Sequence, residues 1–440
     1  MAGIFKAYDL RGVYGETLTD ELATRIGRAF VDFLGCRKVV IGRDMRAHSP
    51  AMFAALARGV TQQGADVIDV GICSTPMCYY ANGSLGADAS IMITASHNPG
   101  EWNGMKMCRE GAIPISGPTG IEAIEKIVTD DALQPMAARA GLVTRHDIAP
   151  AYVAHIRGFA DLERPLRIAI DYANAMGIVE AQALAGLFET RALFDTLDGN
   201  FPNHEANPLD HETLEPLQHL IRTEGPFDFG IAFDGDADRV GFVDERGDIV
   251  PMDLITALIA QTLLKAQKGA IFYDLRSSKA VAEAIVESGG RPLMSRVGHA
   301  FIKRQMRDAD ALFAGELSGH YYFRENYFTE SSALAVIYVA NLVSAARLPL
   351  SGLIAPLRRY APSGEINSRV DDVAAVLARL RRAHADARLT ELDGLTVEYP
   401  DWWFNVRASN TEPLVRLNLE AANAAEMARH RDAVLALIRA

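Results

Sequence analysis

The residues best placed for chemistry begin with Asp234-Gly235-Asp236-Ala237-Asp238-Arg239, which sets carboxylates at alternate positions directly after an apolar run, 229–233. Alternate side chains of an extended segment share one side. Three like charges so close repel unless a cation lies among them, and a hard divalent ion with oxygen ligands meets that need. A solvated acidic turn is the other reading. An EF-hand is excluded: Glu245 falls at the twelfth position from Asp234, but the sixth is Arg239 instead of glycine, and the flanks read as strands. Mg²⁺ is favoured because it uses few carboxylates and completes its shell with water or phosphate oxygens. Arg239 would suit a phosphoryl group at such a site.

A second loop, Thr94-Ala95-Ser96-His97-Asn98-Pro99, follows the β-rich run 89–93. Pro99 lacks an N–H and restricts Asn98, so the strand must stop there. Ser96 is expected exposed on a loop at the end of a buried strand, where α/β proteins place their chemistry; a plain turn remains open. A third loop, Arg407-Ala408-Ser409-Asn410-Thr411-Glu412-Pro413 with Arg416 beyond it, offers guanidiniums, hydroxyls, an amide and backbone N–H groups to a dianion. It also reads as an ordinary hydrophilic turn. Gly315-Glu316-Leu317-Ser318-Gly319-His320 places Glu316 and Ser318 on one side of an extended loop, where they could bond adjacent sugar hydroxyls. Polar tips at Arg296-Val297-Gly298-His299, Tyr273-Asp274-Leu275-Arg276 and Tyr8-Asp9-Leu10-Arg11-Gly12 are structural or ligand-binding.

Elements that could position these loops recur along the chain. Strand, helix and strand patterns run over 38–41, 49–63 and 66–70, again over 167–172, 177–188 and 229–233, and again over 270–275, 279–288 and 312–314. Such alternation implies mixed or mostly parallel sheets with helices on both faces. The last part differs: strands at 365–370, 395–399, 402–407 and 414–419, with helices at 372–383 and 424–439, read as a small α+β domain with an antiparallel sheet. Polar or proline-containing joints divide the chain into domains 1–143, 144–248, 249–360 and 361–440.

Composition narrows the class of partner. Of 440 residues, 49% are apolar and 23% charged, which suits a soluble globular protein, and the net charge of −12 argues against nucleic acid. Cys36, Cys73, Cys78 and Cys108 form no C-x-x-C pair and read as buried thiols. The N-terminus lacks a signal-peptide core, and the longest apolar run, 333–343, is too short to span a bilayer. A cytoplasmic enzyme without membrane contact is expected.

Taken in order, Ala7 to Gly12, Thr94 to Pro99, Asp234 to Arg239, Gly315 to His320 and Arg407 to Pro413 resemble the α-D-phosphohexomutase superfamily of phosphomannomutases and phosphoglucomutases. The resemblance implies an α/β fold of four domains around a central cleft: three related α/β domains with mixed sheets and a smaller C-terminal α+β domain. It implies that Ser96 carries the transferable phosphoryl group and that Asp234, Asp236 and Asp238 hold Mg²⁺ together with a phosphoserine oxygen. Arg239 would contact the phosphoserine, and Glu316 and Ser318 the sugar hydroxyls. Arg407, Ser409, Asn410, Thr411 and Arg416 would bind the non-reacting phosphate. Tyr8, Arg11, Lys106, His299 and His320 match cleft positions for substrate contact or proton transfer. Arg276 departs from the pattern, standing where the bacterial type often has Lys.

The implied reaction interconverts hexose 1-phosphate and 6-phosphate through a phosphoserine, with glucose 1,6-bisphosphate as activator and intermediate, in a monomer acting on small hexose phosphates. Glu316-Leu317-Ser318-Gly319-His320 resembles the Glu-Met-Ser-Gly-His form of the dual-specificity phosphomannomutase/phosphoglucomutase type. A phosphoglucosamine mutase, whose loop usually reads Glu-Gln-Ser-Gly-His, is the nearest alternative. A Mg²⁺-dependent sugar-phosphate phosphatase and a silent binding protein stand further off, since Ser96 and the three aspartates are all present.

Overall fold

Each of four sheets is built from a consecutive part of the chain. The computed structural model describes residues 3–408 and 414–440, so the expectations for Ser409, Asn410 and Thr411 lie outside the described residues. In the first sheet the strands run Leu10–Val13, Trp102–Arg109, Ala89–Ile93, Lys38–Arg43, Asp66–Ile72, Val143–Arg145 from edge to edge. Its centre is parallel and its Leu10–Val13 side antiparallel. Alternate residues of one strand serve two cores. Val39 and Ile41 pack with the helices Asp20–Leu34 and Ser49–Gln62, while Val40 and Met92 pack with Thr75–Ser84 on the other face. This double burial keeps the Ala89–Ile93 strand, which leads into Ser96, wholly buried.

The second sheet is ordered Ile249–Val250, Val240–Asp244, Phe229–Phe233, Arg167–Asp171, Glu189–Leu193, and the third Arg291–Ser295, Ala270–Asp274, Phe313–Gly315, Tyr321–Phe323, Thr329–Glu330. Both mix parallel and antiparallel pairs. The fourth sheet, Ala361–Arg369, Leu414–Ala421, Trp402–Ala408, Leu395–Glu398, Arg388–Thr390, is antiparallel throughout. Its strands alternate: Trp402, Phe404, Val406, Val415, Leu417 and Leu419 form the core. Asn405, Arg407, Arg416 and Asn418 therefore share the opposite face. The four-domain α/β architecture with a smaller α+β domain at the C-terminus is as expected.

Three local expectations differ from the structure. The helix expected over 177–188 is only Gly177–Glu180 followed by a tighter turn, Ala181–Ala183. Tertiary demand overrides helical propensity there: Glu180 is committed to a buried network, and Gly186 takes a left-handed φ of 78° before the next strand. The strand expected from 365 begins earlier, at Ala361 within the proline-containing joint, and carries a bulge between Pro362 and Glu365. Likewise Val143–Arg145 pairs with Asp66–Ile72, so the first sheet runs past residue 143. All four cysteines are free and buried. Among the described residues no single helix is long and apolar enough to cross a membrane, and Ser332–Ala346 packs in the core.

Glu180 joins three parts of the chain. Its carboxylate accepts from Ser74 Oγ at 2.6 Å, Tyr152 OH at 2.6 Å and Ala333 N at 3.3 Å. Ser74 caps the helix Thr75–Ser84, and Ala333 lies in the first turn of Ser332–Ala346. Burial raises the Glu180 carboxyl to about 7, against these hydrogen bonds, which favour its charge. Between its ordinary 4.5 and about 7 the folded protein holds a proton that the unfolded chain has released. Stability therefore falls as pH rises through that window, by up to roughly 3 kcal/mol from this group. The Tm is expected to drop between about pH 4.5 and about pH 7, with part of the drop abolished in Glu180→Gln. An unaltered slope in the variant contradicts this.

Candidate active site

Ser96 is not exposed, as the sequence suggests, but 1% accessible, because the aspartate loop packs directly over it. A Cβ on Gly235 would lie 2.1 Å from Ser96 O, so only glycine permits this approach. Ser96 Oγ donates to Asp234 Oδ2 at 3.0 Å and lies 3.2 Å from His97 Nδ1. The Ser96 backbone is left-handed, with φ 52°, a conformation that costs a non-glycine residue of order 1 kcal/mol and must be held by its surroundings. Thr94 Oγ1 accepts from Ser96 N at 2.9 Å, and Arg11, on the edge strand, donates to Ala95 O at 3.3 Å and to the Asn98 side chain.

Arg46 is the main holder of this loop, and the sequence reading did not single it out. Wholly buried, it donates to Ser96 O at 2.9 Å, Asn98 O at 2.6 Å, Pro99 O at 2.6 Å and Trp102 O at 3.0 Å, and pairs with Asp44 at 3.1 Å. Its signal lies in the sequence: Asp44-Met45-Arg46 is a polar tip following the strand Lys38–Arg43, like those at Tyr273 to Arg276 and Arg296 to His299. Lysine offers three donors at one point where arginine offers a planar fork of five. Arg46→Lys should therefore lower kcat about 100-fold by misplacing Ser96, with KM changed less than about threefold. Steady-state kinetics at unchanged fold, checked by circular dichroism, reads this out, and near-normal kcat sinks it.

Asp234, Asp236 and Asp238 do converge, though not by strand alternation. Ala237 is left-handed, with φ 60°, and Ala237 N bonds back to Asp234 O, so a turn gathers the carboxylates. One oxygen of each lies within 4.8 Å of the others, and all three residues are buried. The loop is pinned by two helix N-termini. Thr75 donates its hydroxyl to Asp236 Oδ2 at 2.6 Å and its N–H to Asp236 O at 3.0 Å, and Ser332 Oγ donates to Ala237 O at 2.6 Å. The positive ends of helix dipoles favour such an anionic loop. Burial and then its two neighbours push the Asp234 carboxyl well up, whereas Asp238, opposed by the same burial, is held well below the usual range by Lys106 and His320.

Lys106, on the strand Trp102–Arg109, reaches Asp236 Oδ2 at 2.6 Å and Asp238 Oδ2 at 2.5 Å. Burial opposes its charge, but the three aspartates hold its amine above the usual range. The second oxygens, Asp236 Oδ1 and Asp238 Oδ1, are buried without a hydrogen-bond partner. Paired carboxylates with buried, unclaimed oxygens suit a hard divalent cation.

Arg239 and His320 form an antiparallel bridge between the second and third sheets, with Arg239 Nε donating to His320 Nε2 at 3.2 Å. The same Nε2 lies 3.3 Å from Asp238 Oδ1, and Nδ1 lies 2.8 Å from Ser318 Oγ. Glu316 and Ser318 lie in a tight turn, Gly319 N bonding Glu316 O, and not in an extended loop. The Glu316 carboxylate accepts from Tyr322 OH and from Gly298 N at 3.3 Å. His299 stacks edge-on to Tyr8, with ring centres 5.6 Å apart, and burial followed by Lys303 keeps it well below its usual pKa. Arg276 is clamped bidentately by Asp274, at 2.7 and 3.2 Å. Arg407 and Arg416 lie side by side on the fourth sheet and meet a carboxylate absent from the sequence reading, Glu365, at 2.8 and 3.3 Å. Glu365 and Asn418 line one cavity with Arg276 and Leu317, which brings this face of the fourth sheet beside the third.

Side chains from all four sheets thus surround one place. Comparison with known proteins agrees with that geometry. Sequence models described as phosphoglucomutase/phosphomannomutase alpha/beta/alpha domains I, II and III match residues 2–134, 150–247 and 251–360, and the C-terminal domain model matches 365–437. The chain belongs to the phosphoglucomutase/phosphomannomutase family. A phosphomannomutase of Escherichia coli is 39% identical, with 99% of each chain covered. One from Methanocaldococcus jannaschii is also 39% identical, over 95% of this chain and 93% of that one. The crystal structure of a phosphoglucomutase/phosphomannomutase family protein from Burkholderia thailandensis superposes with a TM-score of 0.90 at 34% identity, covering 99% and 97%. Family membership makes this chain a mutase.

Proposed function

We propose that this mutase interconverts hexose 1-phosphates and 6-phosphates, of glucose, mannose or both, by way of phospho-Ser96 and a hexose 1,6-bisphosphate. The observation that carries the reading is the 3.0 Å contact of Ser96 Oγ with Asp234 inside a buried three-carboxylate loop. Mg²⁺ held by Asp234, Asp236 and Asp238, with an oxygen of the phosphorylated Ser96, would neutralise phosphoryl charge. Arg239 and Arg11 add positive charge beside it. Glu316 and Ser318 orient the sugar through its hydroxyls. Arg407 and Arg416, with Ser409, Asn410 and Thr411, grip the phosphate that is not reacting, and Tyr8, Arg276 and His299 line the space between. The phosphoryl group leaves Oγ for the free hydroxyl of the sugar, whose proton must go to a nearby base. Lys106 enters as an ammonium paired to two carboxylates and must lose a proton before it can take one, which favours His320.

Leu317 favours the dual-specificity type over a phosphoglucosamine mutase. Domain divisions just after residue 145 and near 248 and 360, a monomeric state and a cytoplasmic setting, where charged hexose phosphates are retained, complete the proposal. The test is ³¹P NMR of the protein with Mg²⁺, a trace of glucose 1,6-bisphosphate, and glucose, mannose and glucosamine 1-phosphates in turn. The first two are expected to become 6-phosphates. Preference for the glucosamine compound moves the assignment to the rival, and free phosphate without a 6-phosphate indicates a phosphatase.

A further inference from the structure

The guanidiniums of Arg407 and Arg416 are shared with a carboxylate built into the same sheet. Antiparallel pairing sets Arg407 beside Arg416, Arg416 beside Asn367, and Asn418 beside Glu365. A bulge between Pro362 and Glu365 shifts the register where the strand reaches the site, and bulges commonly re-aim a side chain in this way. Ser363 Oγ, accepting from Leu419 N at 3.0 Å, fixes the bulge. The outcome is Glu365 Oε2 at 2.8 Å from Arg407 Nη2 and 3.5 Å from Asn418 Nδ2, with Oε1 at 3.3 Å from Arg416 Nη1. Burial works against its charge, but Arg407, Arg416 and Arg276 hold its carboxyl below the usual range.

We propose that Glu365 is a positioning residue that competes with the substrate phosphate for Arg407 and Arg416 and so keeps the clamp releasable. The inference rests on the reading of those arginines as the phosphate clamp. A phosphate dianion entering there meets a resident negative charge, and like charges brought together at a binding surface cost affinity. Such a cost serves this reaction. Each turnover requires the clamp to release one phosphate of the bisphosphate and accept the other, and uniformly tight binding of every bound state would lower KM without raising kcat. Glu365 also aligns the two guanidiniums while no phosphate is held, so release does not collapse the clamp.

The experiment is calorimetric binding of glucose 6-phosphate to Ser96→Ala protein, which cannot turn over, alone and with Glu365→Gln, Glu365→Asp or Arg407→Ala. Glu365→Gln should bind about tenfold tighter, and Glu365→Asp, which keeps the charge, should stay within about threefold of the parent. With Ser96 intact, Glu365→Gln should lower KM and kcat together. Should the glutamine variant not fold, Glu365→Ser removes the same charge and carries the same comparison. Weakened binding in Arg407→Ala together with unchanged or weaker binding in Glu365→Gln overturns the role of Glu365 and leaves the clamp standing. Unweakened binding in Arg407→Ala overturns the clamp and the proposal with it.

Discussion

Ser96→Ala will lose at least about 10⁴-fold in kcat while binding glucose 6-phosphate within about threefold of the parent, because the nucleophile is removed and the clamp is not. The variant should fold normally. Ser96 Oγ makes two polar contacts, and the loop itself is held through backbone groups by Arg46, Arg11 and Thr94. Residual turnover above about 1% of the parent would remove Ser96 from the role, since another group would then have to carry the phosphoryl.

Stripping divalent metal should reduce kcat by at least about 10³-fold, and Mg²⁺ should restore it. The same ion should raise the Tm, as any ligand confined to the folded state does. Asp236→Asn tests the site itself: the Mg²⁺ concentration for half-maximal activity should rise about 100-fold, and the Mg²⁺-dependent Tm shift should shrink. Asp236 is chosen because one of its oxygens is already engaged by Thr75 and Lys106 while the other is buried and unclaimed. Full activity after chelation, or an Asp236→Asn protein with unchanged Mg²⁺ demand, contradicts the assignment.

Sequence made the reactive residues legible because their chemistry restricts residue type. Only carboxylates suit the Asp234 loop, and the position of each loop at a strand end follows from apolar runs that the structure reproduces at 89–93 and 229–233. The manner of convergence was not legible. A left-handed Ala237 and an equally left-handed Ser96 replace the extended geometry assumed for the acidic loop and the exposure assumed for the serine. Both are tertiary effects, fixed by Arg46, Thr75 and Ser332, which act from distant parts of the chain.

Glu365 is legible as a strand residue, but its meeting with Arg407 and Arg416 is not, because a bulge leaves no periodic signature. Glu180 lies on a helix as the sequence predicts, but that helix ends with it, and its buried partners come from distant parts of the chain. His97 lay within the serine motif, yet its contact with Ser96 Oγ depends on a turn that the residue types do not specify.

The most direct test is phosphoryl transfer itself. The protein is incubated with Mg²⁺ and glucose 1,6-bisphosphate labelled in its phosphates, separated from free ligand, and digested for mass spectrometry. One labelled phosphoryl group on Ser96, discharged by unlabelled glucose 1-phosphate or 6-phosphate into new bisphosphate, is the predicted result. Label on another residue, or a Ser96 that never accepts it while the mutase remains active, would contradict the account.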